Sequence, residues 1–293
     1  MTAAPFDEAA DLAALQRVAW RDAVRRHPTV VVGGALLVLM VAMAVFAPYL
    51  GTVDPQALSP IRRLRPPSAQ YWFGTDMLGR DVYSRVVFGA RISLVVGLGV
   101  AFFSTAFGLA IGLVAGFNRS VDAVVMRIMD GLMAIPAVLL AIALMALTKA
   151  SVENVILAVT VSEVPRVSRL VRGVVLSLRE QPFVEAARAT GTRGARIVMR
   201  HVLPNTIAPL IVQGTYICAS AIITEAILSF LGAGTPPNIP SWGNIMAEGR
   251  SLFQVAAYII LFPGLFLSMT VLAVNLVGDG LRDALDPRLA RRM

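Results

Sequence analysis

Cysteine, histidine and lysine are nearly missing from this sequence. Its 293 residues include one cysteine and two histidines, and Lys149 is the sole lysine among 26 basic residues. His27 and His201 cannot form an H-E-x-x-H zinc motif, so a His-based metal site is excluded. No G-x-S-x-G nucleophile elbow occurs, and Lys149, in ALTKAS, follows no glycine-rich loop. The chain therefore has no P-loop with which to bind ATP, and any ATP-driven work falls to a separate subunit. Cys218 stands alone in an apolar run, which removes disulfides and reads as a buried structural thiol. The expectation is a chain with no catalytic residues, no metal and no cofactor of its own.

Charge is scarce as well. Charged residues make up 15% of the chain and hydrophobic ones 57%, with a mean hydropathy of +0.72, too apolar for an ordinary soluble domain. Uncharged runs cover Thr29–Leu50 (22 residues), Ile92–Phe117 (26) and Ser251–Gly278 (28). About 20 apolar residues cross a bilayer as a helix, so each is long enough. Gly131–Thr148 and Val202–Thr224 are nearly as clear, the second extending past Glu225 to Leu231. Asn154–Val164 is apolar apart from Glu163 and then meets Pro165 and Arg166. These runs predict an all-α integral membrane protein with six transmembrane helices, at roughly 29–50, 92–117, 122–148, 152–171, 205–231 and 252–278. The first run is long and lacks an A-x-A-like cleavage end, as expected of a retained span.

The remaining segments follow. Residues 1–28 form a basic cytoplasmic N-terminus, in which Arg17, Arg21 and Arg25 recur at four-residue spacing beside Leu15, Val18 and Trp20. That pattern suits either an amphipathic surface helix or a plain positive-inside anchor. Residues 51–91 are an extracytoplasmic loop, 92–279 a five-helix core, and 280–293 a basic cytoplasmic tail. With both termini inside, 18 of the 26 basic residues fall on the cytoplasmic side, as the positive-inside rule prefers, although the first loop holds 6. That rule also accounts for the net charge of +8, so nucleic acid is not an expected partner.

One cytoplasmic connector, at about 180–204, is unusually patterned. Pro182 suits a first helical turn, and Glu180 and Glu185 complement a helix start. Ala186, Ala187 and Ala189 leave a face of little bulk, and Gly191 allows a left-handed stop. Ile197 and Val198 point to an apolar contact while Arg193, Arg196 and Arg200 stay solvated. Leu203-Pro204 then opens the fifth span. The result is a compact knob tied to spans 4 and 5.

Glu185-Ala186-Ala187, Gly191 and Leu203-Pro204 resemble the EAA loop of ATP-binding-cassette importer permeases, E-A-A-x3-G-x9-I-x-L-P. His201 takes the place of that pattern's Ile, and Arg200–Asn205, RHVLPN, resembles the peptide and nickel branch. Phe73–Leu94 (FGTDMLGRDVYSRVVFGARISL), Met126–Pro136 (MRIMDGLMAIP), Glu225–Gly232 (EAILSFLG), PSWG at 240–243 and the terminal LRDALDPRL are similar to the C-type subunit of that branch. The resemblance covers about 220 residues and implies the type I importer permease fold in a bacterial inner membrane. It implies a second, different permease completing the pore, two ATPase subunits holding ATP and Mg, and an extracytoplasmic binding protein. The Glu185–Gly191 helix would dock in an ATPase cleft. Peptides are the implied cargo, with nickel and glutathione next. A membrane-embedded enzyme with buried carboxylates and a secondary transporter are the rivals. The missing motifs weigh against the enzyme.

Other candidates come from charge in or near spans. Arg127 and Asp130 could pair within one helix or act in gating or subunit contacts. Glu225, within span 5, could bind substrate amino groups or hydrogen-bond a neighbouring helix. Glu163 is expected at the interface. Asp76, Arg80, Asp81, Arg85 and Arg91 suggest a salt-bridged outer cap or a contact for the binding protein. Gly97, Gly108 and Gly112 are expected to be packing positions.

Overall fold

The computed structural model describes residues 28–285, so the basic N-terminal segment and the last residues of the tail lie outside the described residues. Ten α-helices follow in order. They are α1 (Pro28–Val45), α2 (Val82–Phe117), α3 (Arg119–Met133), α4 (Ala137–Ala146), α5 (Val152–Arg179), α6 (Pro182–Ala189), α7 (Gly194–Ile197), α8 (Leu203–Phe230), α9 (Trp242–Gly249) and α10 (Tyr258–Leu285). Four stretches are long and apolar enough to cross a membrane: α1, α2, the run Gly194–Phe230 that ends in α8, and α10. A bent pair, α3 with α4, brings the number to five. The 28-residue α5 is as long as α8, but Glu153, Glu163, Arg166, Arg169, Arg172 and Arg179 make it more polar.

The bent pair corrects the expectation of one straight helix over 122–148. α3 and α4 meet at 90° across Ala134–Pro136. Pro136 has no N–H to offer the preceding turn, and its ring disfavours helical geometry in the residue before it. Here the chain turns, whereas α5, α8 and α10 continue through Pro165, Pro209 and Pro263. An apolar run long enough to span conceals this break, because hydropathy does not register the lost donor.

The bundle is assembled on contacts that only glycine permits. α2 and α5 run side by side, and Gly108, Gly112 and Gly116 meet Val167, Val171 and Val175. A Cβ added at these glycines would lie 2.4 Å from Val167 Cβ, 2.6 Å from Val171 Cβ and 2.6 Å from Val175 Cγ1. Both ladders advance by four residues, so one ridge runs along one groove for three turns. Gly97 does the same toward α8, where Ile222 Cγ1 would be 2.6 Å away. α1 lies on α10 through Gly33, opposite Leu276 Cβ at 2.6 Å. Two buried clusters result. One joins α2, α5 and α8 to the connector at about 180–204 through Val171, Val175, Val184, Ile197 and Val202. The other packs α1, α2, α8, α9 and α10 around Ile222, Trp242 and Ile259 and encloses Cys218.

The loop that leads into α2 accounts for much of the FGTDMLGRDVYSR stretch. Phe73 stacks on Phe262 of α10, ring centroids 4.0 Å apart. Gly74 and Gly79 take positive φ, +76° each, where an L side chain would be strained. Asp81 caps α2, accepting from Ser84 N at 2.8 Å. Asp76 is the hub: its Oδ2 lies 2.6 Å from both Arg80 Nε and Arg85 Nη1. Glu248 of α9 pairs with the same two arginines. Two acids and two bases balance, with Asp76 and Arg85 each 1% exposed. Trp242 clamps α9 to α2 by donating Nε1 to Val86 O at 3.0 Å. Arg91 stands apart, donating to the Ala44 and Val45 carbonyls at the end of α1.

Two outcomes are expected. Asp76→Ala leaves the buried cluster one positive charge in excess, and a broken buried pair costs about 3–5 kcal/mol. Thermal melting of the detergent-solubilised protein should drop sharply, whereas Arg91→Ala should shift it far less. Gly112→Leu overfills the α2–α5 groove at a cost of at least ~1–3 kcal/mol. An unchanged melting temperature there would show that the glycine ladder is not under packing constraint.

Candidate coupling surface

The connector after α5 folds as a knob of three short pieces. Gln181 precedes Pro182, which opens α6 in its first turn. Glu185 lies in that turn, where a carboxylate complements the exposed N–H groups. The helix stops in a Schellman arrangement: Thr192 N donates to Ala187 O at 3.0 Å and Gly191 N to Arg188 O at 2.9 Å. Gly191 has φ +78° and open space around its missing Cβ. Its left-handed turn, the glycine's sequence signature, is therefore present. Glu185, Ala186, Ala189 and Gly191 are exposed and Ala187 is half-buried. Val184 is the one fully buried residue of α6, and Ala187 packs against the same core cluster.

α7 and a π turn (Val198–Val202) return the chain to the bundle. Ile197 and Val202 are buried, while Arg193, Arg196 and Arg200 are exposed. The π turn has a local cause. Pro204, in the first turn of α8, cannot donate, and Leu203 N reaches back to Val198 O. The Asn205 side chain replaces a backbone donor by giving Nδ2 to His201 O at 2.6 Å. Phe183 and His201 sit 6.1 Å apart, so the two halves of the knob touch. Through Val184, Ile197 and Val202 it is fused to the same apolar cluster as the lower end of α5. Its outer surface is small alanines, Gly191 and four arginines (Arg188, Arg193, Arg196 and Arg200), with Phe183 and Met199 as exposed apolar groups.

A polar layer lies above the knob. Arg172 of α5 binds Asp122 of α3 through two nitrogens, Nη2 to Oδ2 at 2.7 Å. Arg169 pairs with Asp130, and Arg179 donates Nη1 to Gly116 O at 2.7 Å. A cleft of about 530 Å³ between α2, α3, α5 and α6 has Arg119, Asp122, Glu185 and Arg188 in its walls. The intrahelical Arg127–Asp130 pair considered from sequence is not formed. Asp130 is taken by Arg169, and Arg127 is exposed with no ion pair among the described residues. The partner helix could not be read from i, i+3 spacing alone. Arginines recurring through span 4 at 166, 169 and 172, against aspartates at 122 and 130, were the available signal.

Glu225 is enclosed near the C-terminal end of α8. It is 0% exposed and accepts from Ser229 Oγ at 2.8 Å and Ser93 Oγ at 3.2 Å. Ser229 in turn meets Thr235 Oγ1 at 3.1 Å, so the carboxylate ties α2 and α8 to the loop before α9. Glu163, expected at the interface, is buried within the protein. It sits mid-way along α5, 3% exposed, 3.4 Å from Ser220 Oγ of α8. Among the described residues no group of three or more His, Cys, Asp or Glu could hold a metal ion.

Comparison with known proteins agrees with this architecture. Residues 15–67 match the N-terminal transmembrane domain of oligopeptide transport permease C. A probable peptide ABC transporter permease of Sinorhizobium fredii is 54% identical over 92% of this chain and 92% of its own. A dipeptide transport system permease of Alkalihalophilus pseudofirmus is 42% identical, covering 92% and 90%. A glutathione transport system permease of Escherichia coli is 42% identical, covering 92% and 89%. A chain of the methionine ABC transporter MetNI, solved in inward-facing conformations, shares the fold at a TM-score of 0.58 and 21% identity, over 69% of this chain and 96% of that one. Residues 108–291 match the model of binding-protein-dependent transport system inner membrane components, and the chain belongs to that family.

Proposed function

We propose that this chain is the non-catalytic permease subunit of an ATP-driven importer, forming half of a pore for di- and oligopeptides. The observation that bears most weight is the knob: an exposed, glycine-stopped helix whose one buried residue, Val184, joins the core cluster of α2, α5 and α8. A displacement of such a knob moves the ends of two long helices together. With no P-loop in the sequence, the force must come from outside the chain. ATP and Mg belong to two partner ATPases, each receiving a coupling helix in a cleft. Their closure on ATP draws the knobs inward and opens the pore outward, and hydrolysis resets it.

The chain sits in the bacterial inner membrane with both ends cytoplasmic, and α5 is its sixth span. Burial of Val155, Val159, Val167, Val171 and Val175 against α2 supports that placement, because it gives α5 the same membrane level as an unambiguous span. A second, different permease completes the pore, and an extracytoplasmic binding protein delivers cargo to the capped outer face. Peptides are favoured because relatives of similar coverage are named for peptide and dipeptide transport. Glutathione, itself a tripeptide, is the next choice, and nickel follows. Glu225 serves the outer cap, and Arg127 and Asp130 serve the inner layer that borders the pore.

Peptide uptake should appear only when the chain is co-expressed with its ATPases and partner permease. It should persist when the proton gradient is collapsed at constant ATP. Gly191→Val places a β-branched residue at positive φ, where an L side chain costs roughly 1–2 kcal/mol. It should uncouple ATP hydrolysis from uptake while insertion and α2–α5 packing survive. Full uptake by that variant would refute the coupling role. Glu225→Gln keeps an acceptor for Ser93 and Ser229, so uptake should be nearly unchanged. A selective loss of affinity for substrate would instead return Glu225 to the pathway.

A further inference from the structure

Three arginines follow one another at three-residue spacing on α5, and they are not equivalent. Arg172 is held by both oxygens of Asp122 and Arg169 by Asp130, both from α3. α3 ends at Met133, and its last acid is Asp130. Arg166 therefore has no acidic partner across the helix pair. Its one neighbouring carboxylate is Glu163 of its own helix, whose Oε2 stands 3.2 Å away yet accepts no hydrogen bond. The Glu163 side chain turns inward, 3% exposed, and that of Arg166 turns outward, 53% exposed. Most donors of the Arg166 guanidinium consequently point away from the protein.

Depth makes this orientation informative. Val167, the next residue, packs at Gly108 of α2. Gly108 lies nine residues before Phe117, where α2 ends. At 1.5 Å per residue that is roughly 14 Å from that end of α2, inside the uncharged run Ile92–Phe117 that is long enough to cross the hydrocarbon layer. An ionised guanidinium at that level faces a bundle interior or a water-filled cavity, not lipid. The face of α5 bearing Arg166 is thus not a lipid face, and its open donors need an anion or water.

We propose that Arg166 lies on the substrate pathway and receives the carboxylate of the passing peptide, with Glu163 positioning the guanidinium. This rests on the peptide-importer reading above. Every linear peptide with a free C-terminus carries one such carboxylate whatever its side chains. A planar fork of N–H donors matches it bidentately. One fixed contact would then serve cargo of many sequences. The buried Glu163 lowers the cost of keeping a cation at that level, and because its hydrogen bonding to Arg166 is unformed, it leaves the donors available.

The test uses the complete transporter in proteoliposomes, with peptide pairs, free acid and C-terminal carboxamide, that the binding protein is shown to hold equally. Wild type should transport the acid with lower KM than the amide. Arg166→Gln should raise the KM for the acid about tenfold, the loss of one charge-assisted contact, and leave amide uptake unchanged. Arg166→Lys keeps the charge without the fork and should fall between. Equal losses for acid and amide in both variants would overturn the proposal in favour of a structural role. No loss in either, or a wild type indifferent to the carboxylate, would also overturn it. A wild type that moves no peptide at all with ATP would end the importer reading and this proposal together, an outcome distinct from an indifferent variant.

Discussion

Contact between α2 and α5 without intervening side chains is the constraint on which the other features depend. Lipid offers little hydrophobic reason for two helices to associate, so close van der Waals approach has to supply it. Gly108, Gly112 and Gly116 allow Val167, Val171 and Val175 to reach the α2 backbone, and this fixes the height and rotation of α5. Those in turn set where Arg169 and Arg172 meet Asp130 and Asp122. They also set where the chain leaves the bundle to form the knob. A side chain of even one more carbon in the groove would displace the polar layer and the knob together.

The knob and the cap solve opposite problems at the two ends of the same helices. At the connector end, α6 presents alanines beside its charged residues and is stopped by Gly191, which leaves its outer surface exposed. At the other end, Asp76, Arg80, Arg85 and Glu248 close in a balanced network, and Trp242 and Glu225 tie loop to helix. The two ends thus differ in kind, one closed by charge pairs and the other presenting an exposed helix. Pro204 and the π turn lie where the knob joins α8. That joint has fewer regular helical hydrogen bonds than the shaft, and Asn205 bridges the gap.

Much of this was legible in the residues. Spans 1, 2, 5 and 6 follow from uninterrupted apolar runs, and the knob from Pro182, the alanines, Gly191 and Leu203-Pro204. The alternating charges after Phe73 pointed to a salt-bridged cap, but not to Glu248, which arrives from more than 160 residues away. Long-range partners account for the other differences too. The true mate of Asp130 is Arg169, and the depth of Glu163 depends on α5 continuing as a helix through Pro165. For Glu225 the sequence left substrate binding and a hydrogen bond to a neighbouring helix both open, because hydropathy does not report which residues surround a buried carboxylate; Ser93 of α2 is one such neighbour. The bend at Pro136 was hidden by the apolar residues on both sides of it.

That bend carries an implication of its own. A helix normally satisfies its own backbone inside a bilayer, and a right-angled break between α3 and α4 interrupts that self-sufficiency. Irregular backbone at such a level persists only where it is shielded by protein or lines a wet cavity. The Ala134–Pro136 corner is therefore a local demand for company: hydrating water or another polypeptide must meet the peptide groups left over. Seen this way, the right-angled corner itself, more than the amide hydrogen that Pro136 lacks, makes part of an otherwise greasy surface unfit for lipid.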